Sequence, residues 1–217
     1  MRASLSAVSL ARPASTSLVR MENMTLAVIT GSVREGRFGP RITEWLTERA
    51  RTHGLFDLDV IDLAQTPLPT VMPATPEELA DVESRPAELR RLAGRLAAAD
   101  AFAVVTPEYN HSFPASLKSA IDWHLAAWMA KPVALVSYGG YGGGVRAAEH
   151  LRPVFAEVHA VTIRNTISFD QHWSRFGPGG ELLDPEGPDV AAKALLDQLG
   201  WWSGVLRDAR RTTPYVA

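Results

Sequence analysis

A chain of 217 residues, 46% of them apolar and 21% charged, is long enough for a sizeable core and has the balance of a soluble globular protein. A formal net charge of −2 leaves no basic footprint for nucleic acid, and the absence of cysteine removes disulfides, thiolate metal sites and thiol nucleophiles together. No stretch approaches the roughly 18–20 uninterrupted apolar residues of a membrane helix, so a soluble, cytoplasmic protein without a membrane partner is expected.

The N-terminal stretch stands apart from the rest of the chain. Residues 1–20 hold Arg2, Arg12, Arg20 and five serines, with no acid. That composition fits an organellar targeting segment, a disordered tail, or a start placed too early, with Met21 or Met24 as the true beginning. Ser9 interrupts the apolar run, which argues against a secretory signal. Residues 1–23 are therefore read as an extension, and residues 24–217 as one domain.

From Leu26 onward, short apolar runs alternate with segments of helical period. Leu26 to Thr30 reads as a first strand, and Ile42, Trp45, Leu46 and Ala50 mark one face of a helix. Leu58 to Leu63, laced with aspartates at 57, 59 and 62, reads as a strand near a sheet edge. Gln65 to Pro86 carries prolines at 67, 69, 73, 76 and 86 and is expected to resist regular structure. Leu89, Leu92, Leu96 and Ala97 give a clear helical stripe, followed by a strand over Phe102 to Thr106. A helix over Leu117 to Met129, a strand over Val133 to Ser137, and a helix over Val145 to Phe155 strained by Pro153 come next. A fifth strand over Val161 to Ile167, a loop over Ser174 to Pro188 and a closing helix over Val190 to Leu206 complete the chain.

Strands separated by single helices imply right-handed crossovers and a parallel sheet covered on both faces. Five such strands suit either a dinucleotide-binding order or the flavodoxin-like order 2-1-3-4-5, and periodicity does not choose between them.

Three loops carry the functional argument. Gly31 to Gly39 follows the first strand and opens a helix, where free N–H groups attract an anion; Ser32, Arg34 and Arg37 add a hydroxyl and two guanidinium groups. It is not a GxGxxG loop, since the second glycine would fall at Val33, nor a triphosphate loop. Pro107-Glu108-Tyr109-Asn110-His111-Ser112-Phe113-Pro114 follows the third strand, with Ser112 a candidate helix cap and Pro114 suited to the first turn. Ligands of open α/β sheets bind at the carboxyl ends of the strands, and in the order 2-1-3-4-5 the crevice lies between strands one and three, which these two loops follow. The third loop, Ser137-Tyr138-Gly139-Gly140-Tyr141-Gly142-Gly143-Gly144, lets backbone approach a flat ligand closely.

Gly31-Ser32-x-Arg34, Pro107-Glu108-Tyr109-Asn110-His111-Ser112-x-Pro114-x-x-Leu117-Lys118-x-Ala120-Ile121-Asp122-Trp123, and the glycine loop running into Arg146-Ala147-x-Glu149-x-Leu151-Arg152 together resemble the NADPH-dependent FMN reductase family, which includes azo-dye, quinone and chromate reductases. The similarity spans about residues 25 to 170, and the second motif is the most specific. The resemblance implies a flavodoxin-like doubly wound α/β fold and FMN as cofactor, with NADPH or NADH as co-substrate. It also implies a ping-pong cycle in which hydride passes to the flavin and the electrons then reach a small quinone, azo or similar acceptor. Ser32, Arg34 and the backbone of Arg37, Phe38 and Gly39 would hold the FMN phosphate. Pro107, Glu108, Tyr109 and Asn110 would line the ring and ribityl chain, and Ser137, Tyr138, Gly139, Gly140 and Gly142 would flank the other side. Many members carry a second Ser, Thr or Asn late in the first loop, where this chain has Arg37-Phe38-Gly39.

Hydride transfer needs no obligatory base, so no catalytic side chain is named; a lone His111 beside a helix start suits packing or capping better than proton transfer. The resemblance further implies a homodimer or homotetramer, with the proline-rich loop helping to close the site; Trp123, His124 and Trp128 would be core residues in a monomer and interface anchors in such an assembly. Arg34, Arg37 and Arg146 are candidates for a nucleotide 2′-phosphate. A flavodoxin-like electron carrier, a flavin-free module on the same fold, and a supplier of reduced FMN to a monooxygenase are the competing readings.

Overall fold

The computed structural model describes residues 23–216, so the expectations for the N-terminal extension lie outside the described residues. Five strands form one parallel sheet: β1 (Met24–Thr30), β2 (Phe56–Asp62), β3 (Ala101–Pro107), β4 (Pro132–Tyr138) and β5 (Val161–Phe169). Their order is β2-β1-β3-β4-β5, which settles the topology in favour of the flavodoxin-like arrangement.

Burial follows that order. β3 and β4 are buried along their whole length and β1 nearly so, as expected of strands covered on both faces. The edge strands β2 and β5 are only partly buried; in β5, Ile163, Ile167 and Phe169 turn inward while Arg164, Thr166 and Ser168 face out. Side chains of the inner strands divide by parity between two cores. Leu26, Val28, Ala103, Val136 and Tyr138 meet α1 (Gly39–His53) and α7 (Glu186–Thr212) on one face. Ala27, Ile29, Phe102, Val104 and Leu135 meet the opposite layer, built from α3 (Ala87–Ala98), α4 (Ala115–Asp122), α5 (Leu125–Trp128) and α6 (Val145–Glu157).

Two segments depart from the sequence expectation. The helix anticipated over residues 117–129 is broken at Trp123 and His124, the latter with φ −134° and ψ 41°. In an unbroken helix two residues five positions apart face roughly 140° away from one another. The break lets both tryptophans be buried: Trp128 packs on Phe102 and Phe155, and its Nε1–H donates to the Ile121 carbonyl at 3.2 Å, which also accepts from the His124 N–H. Trp123 donates from Nε1 to the Pro69 carbonyl at 2.9 Å and so pins the proline-rich loop. That loop contains a short helix, α2 (Pro76–Ala80), capped by the Thr75 hydroxyl accepting from the Glu78 N–H. Pro153 sits inside α6 without ending it.

Trp123, His124 and Trp128 are all buried within one protomer, as core residues are. Beside them lies a cavity of about 770 Å³, whose lining includes Arg85, Trp123, His124, Leu125, Lys131 and Tyr215. Arg85 Nε and Nη1 and His124 Nε2 are buried there without partners among the described residues.

Lys131 donates its ammonium to the Leu96 and Ala97 carbonyls at 3.0 and 2.8 Å, closing the end of α3. Burial first, and the Arg210 charge second, bring its pKa from 10.5 down to about 8, with Asp100 opposing. The unfolded chain therefore binds more protons than the folded one between about pH 8 and 10.5, and stability from this group rises with pH through that window. Urea unfolding from pH 7.5 to 9.5 should show a gain of about 1–2 kcal/mol, and Lys131→Met should abolish the slope.

Candidate functional site

The three loops singled out in the sequence meet at the carboxyl ends of β1, β3 and β4. The first is fastened at its root: the Gly31 N–H donates to the Val105 carbonyl at 2.9 Å, and the Ser116 hydroxyl on α4 donates to the Gly31 carbonyl at 2.6 Å. Ser32 is 1% exposed, and its Oγ lies 2.7 Å from Tyr109 Oη, so the first and second loops touch at the crevice. Gly36 takes φ 63°, a left-handed conformation that glycine adopts without strain, and turns the chain back toward α1.

α1 begins at Gly39 with Phe38 as its cap residue, without a side-chain cap and with no acid in its first turn. The positive end of the helix is thus left unneutralised by the chain itself. Arg37 is drawn outward to an ion pair with Asp62 at the end of β2, yet its Nε is buried without a partner among the described residues. Arg34 is exposed.

The second loop is a tight hairpin. Tyr109 and Ser112 exchange backbone hydrogen bonds at 2.7 and 3.0 Å, with Asn110 at φ 50° and His111 at φ 69° between them. Two successive left-handed residues are the signature of a type I′ turn. The Ser112 cap expected from the sequence is not made: α4 starts after Pro114 with no side-chain cap, because the hairpin holds Ser112 away from the helix end. The Ser112 hydroxyl instead lies 3.3 Å from His150 Nδ1. Asn110 and His111 are exposed at the turn.

The third loop is tied to the second. The Glu108 N–H donates to the Tyr138 carbonyl at 3.0 Å, while the Glu108 carboxylate accepts from the Arg146 N–H at 3.2 Å and pairs with its guanidinium. Gly139 is buried and donates to the Phe169 carbonyl at 3.1 Å; a Cβ there would lie 3.0 Å from the Gly144 nitrogen. Gly140 is exposed and Gly142 lies under the Arg146 guanidinium. The Ser137 hydroxyl is engaged within the loop, donating to the Gly143 carbonyl at 3.0 Å alongside the Ser168 hydroxyl at 2.8 Å.

Tyr138 departs from the others. By parity it faces the α1 and α7 layer, and its ring joins Phe38 and His172 at centroid separations of 6.4 and 5.1 Å. Its hydroxyl ends among the first loop, beside the Gly39 backbone and close to the Ser32 side chain. Of the three arginines considered for a nucleotide phosphate, Arg37 and Arg146 are held by Asp62 and Glu108.

Residues after β5 complete the rim and were not anticipated. His172 sits beside the Gly139 carbonyl, with Nδ1 at 3.0 Å, and stacks edge-on against Phe38 at 4.7 Å. Trp173 is 60% exposed and its ring edge reaches Gly140. A Gln-His-Trp run at the carboxyl end of a strand was the available signal, but the resemblance is only loose beyond residue 170. A smaller cavity of about 310 Å³ lies between Val33, Leu68, Thr70 and Ser116, bringing the proline-rich loop to the crevice.

The model of a family described as NADPH-dependent FMN reductase matches residues 24–174. An NAD(P)H-dependent FMN reductase of Schizosaccharomyces pombe is 38% identical over 125 residues, which is 57% of this chain and 62% of that protein, so the match spans less than two thirds of that relative. A 2-hydroxy-1,4-benzoquinone reductase of a Burkholderia species is 29% identical over 196 residues, covering 86% of this chain and 98% of that one. Among solved structures, FerB from Paracoccus denitrificans, a flavoenzyme NAD(P)H:(acceptor) oxidoreductase, superposes with a TM-score of 0.65 at 25% identity, over 84% of this chain and 98% of its own.

Gly144, at φ 83°, closes the third loop, and a Cβ there would stand 2.7 Å from the Tyr138 nitrogen. Gly144→Ala should destabilise the fold by about 2 kcal/mol or more, read as a drop of several degrees in the thermal midpoint; an unchanged midpoint would contradict this packing.

Proposed function

The chain belongs to the NADPH-dependent FMN reductase family, an oxidoreductase family using FMN with NAD(P)H, and on that premise we propose that it is a ping-pong NAD(P)H oxidoreductase whose electron acceptor is a small planar quinone- or azo-type molecule. The observation that carries the reading is the anion cradle at the head of α1: an uncapped helix start, the buried Ser32 hydroxyl and an unpartnered buried Arg37 Nε at the switch point of the sheet. Those groups fit a phosphate monoester, and the close backbone of the third loop fits a flat ring system.

When bound, FMN supplies the two-electron chemistry between NAD(P)H and the acceptor. The chain's part is to bind and orient. Ser32, Arg34 and the N–H groups of Arg37, Phe38 and Gly39 take the phosphate. Pro107, Glu108, Tyr109 and Asn110 form one wall for the ring and ribityl chain, and Ser137, Gly139, Gly140 and Gly142 form the opposite margin. The Glu108–Arg146 pair fixes the distance between these two walls by joining their loops. N–H groups of the second loop provide dipoles toward charge that builds on the ring, and no side chain has to act as a base.

The protein works in the cytoplasm as a homodimer or homotetramer. Support for assembly comes from the groove beside α2, α3 and α5, where Arg85 and His124 hold buried polar nitrogens with no partner among the described residues. The Pro-rich loop, pinned through Pro69, borders both this groove and the crevice. Sedimentation at micromolar concentration should give twice or four times the 23.6 kDa chain mass, and a strict monomer would refute the assembly.

The purified protein should be yellow, bleach on anaerobic addition of NADPH and release FMN on denaturation. Initial rates with benzoquinone as acceptor should give parallel double-reciprocal lines. A protein that stays colourless after FMN is added would refute the enzyme reading, and intersecting lines would refute the ping-pong order.

A further inference from the structure

Tyr138 lies on β4, whose other loop residues border the crevice from the ring side, but its side chain crosses beneath the sheet end to the first loop. The place it reaches is the head of α1. Gly39, the first helical residue, has no side chain, and a Cβ at that position would stand 3.0 Å from the Tyr138 hydroxyl and 3.0 Å from Thr30 Cγ2. The phenol oxygen therefore fills the space that a side chain at position 39 would occupy. Around it the Ser32 side chain, the Gly39 backbone and, through Ser32, the Tyr109 hydroxyl converge.

Packing alone does not account for the hydroxyl. The ring is already held by Phe38 and His172, and phenylalanine would fill the same volume. At 3% exposure a hydroxyl must be hydrogen-bonded or destabilise the fold, so placing one here has a chemical consequence at the loop it touches. Tyr109, from the second loop, ends with its own hydroxyl on Ser32, so a phenol from the second loop and one from β4 both approach the same serine.

We propose that Tyr138 serves the phosphate end of FMN and not its ring: its hydroxyl, standing where a side chain at position 39 would otherwise stand, completes the anion cradle with Ser32 and the Gly39 N–H. Gly39 and Tyr138 act as one unit in this role, the glycine making the space and the tyrosine supplying the donor. Burial, and then the neighbouring Tyr109, push the Tyr138 phenol well above its ordinary pKa, while Ser32, Gly39 and Arg37 act in the opposite direction. The group stays protonated, and hence a donor, throughout the physiological range. The inference rests on the FMN reading above and adds to it the discrimination between FMN and riboflavin, which differ only in the phosphate.

The test is fluorescence titration of the apoprotein with FMN and with riboflavin. Tyr138→Phe should raise the FMN dissociation constant roughly tenfold, the loss expected of one hydrogen bond to a charged group, and leave riboflavin within twofold. Gly39→Ala, which presses a methyl against the hydroxyl, should likewise weaken FMN and spare riboflavin. Wild-type FMN affinity in either variant, or equal losses for both flavins, would overturn the proposal and leave the FMN reading standing. Failure of the wild-type protein to bind FMN would instead overturn the reading on which the proposal rests.

Discussion

The pairing of β1 with β3 is the constraint on which the rest depends. β2 and β3 lie on opposite sides of β1, so the chain leaves the end of β1 in one direction and returns from β2 to the other. No crossover covers the gap between the carboxyl ends of β1 and β3. The last rung there, from the Gly31 N–H to the Val105 carbonyl, converts the sheet into a loop at the level where a ligand's anionic end can meet free N–H groups. Ser116 on α4 secures the same glycine from the other side, so the loop enters its turn from a fixed direction. Every other contact of the crevice is positioned relative to that point.

From this anchor the site is held together by polar ties between loops more than by apolar packing within them. Ser32 meets Tyr109, Glu108 meets both Tyr138 and Arg146, and Gly139 meets Phe169. Each tie joins a loop to the neighbouring strand's loop, which keeps backbone N–H groups aimed without filling the crevice with side chains. An apolar plug would lend stability but would occupy the space; a network of short hydrogen bonds around a rim gives rigidity and leaves room. The aromatic group of Phe38, Tyr138, His172 and Phe176 forms an apolar support, and it lies under the rim on the α1 side.

Much of this was legible in the sequence because the signals were local. Apolar runs located all five strands to within a few residues, and the three loops were distinctive in composition. What escaped the sequence depended on contacts across the fold. The break at Trp123 and His124 accompanies the burial of two tryptophans five positions apart against different parts of the fold, which no helical periodicity reveals. Ser112 has the composition of a cap, but a cross-turn bridge to Tyr109 holds it elsewhere. Tyr138 read as part of the glycine loop, whereas strand parity directs it to the opposite face from Ser137. His172 and Trp173 reach the rim only because β5 neighbours β4, a relation set by topology.

The aspartates of β2 have a bearing on how copies of this chain can meet. As an edge strand, β2 presents unpaired peptide groups that could recruit a strand from another molecule. Asp57, Asp59 and Asp62 surround that edge with charge, and each is tied in turn to Asn23, Arg95 or Arg37. A second sheet extending this one would have to strip water from three carboxylates and dislodge those partners. The edge is thereby closed to sheet extension, and Asp62, which helps close it, is also the residue that fastens the anion loop's arginine. Protection of this edge and the shape of the first loop are in this way set by the same strand.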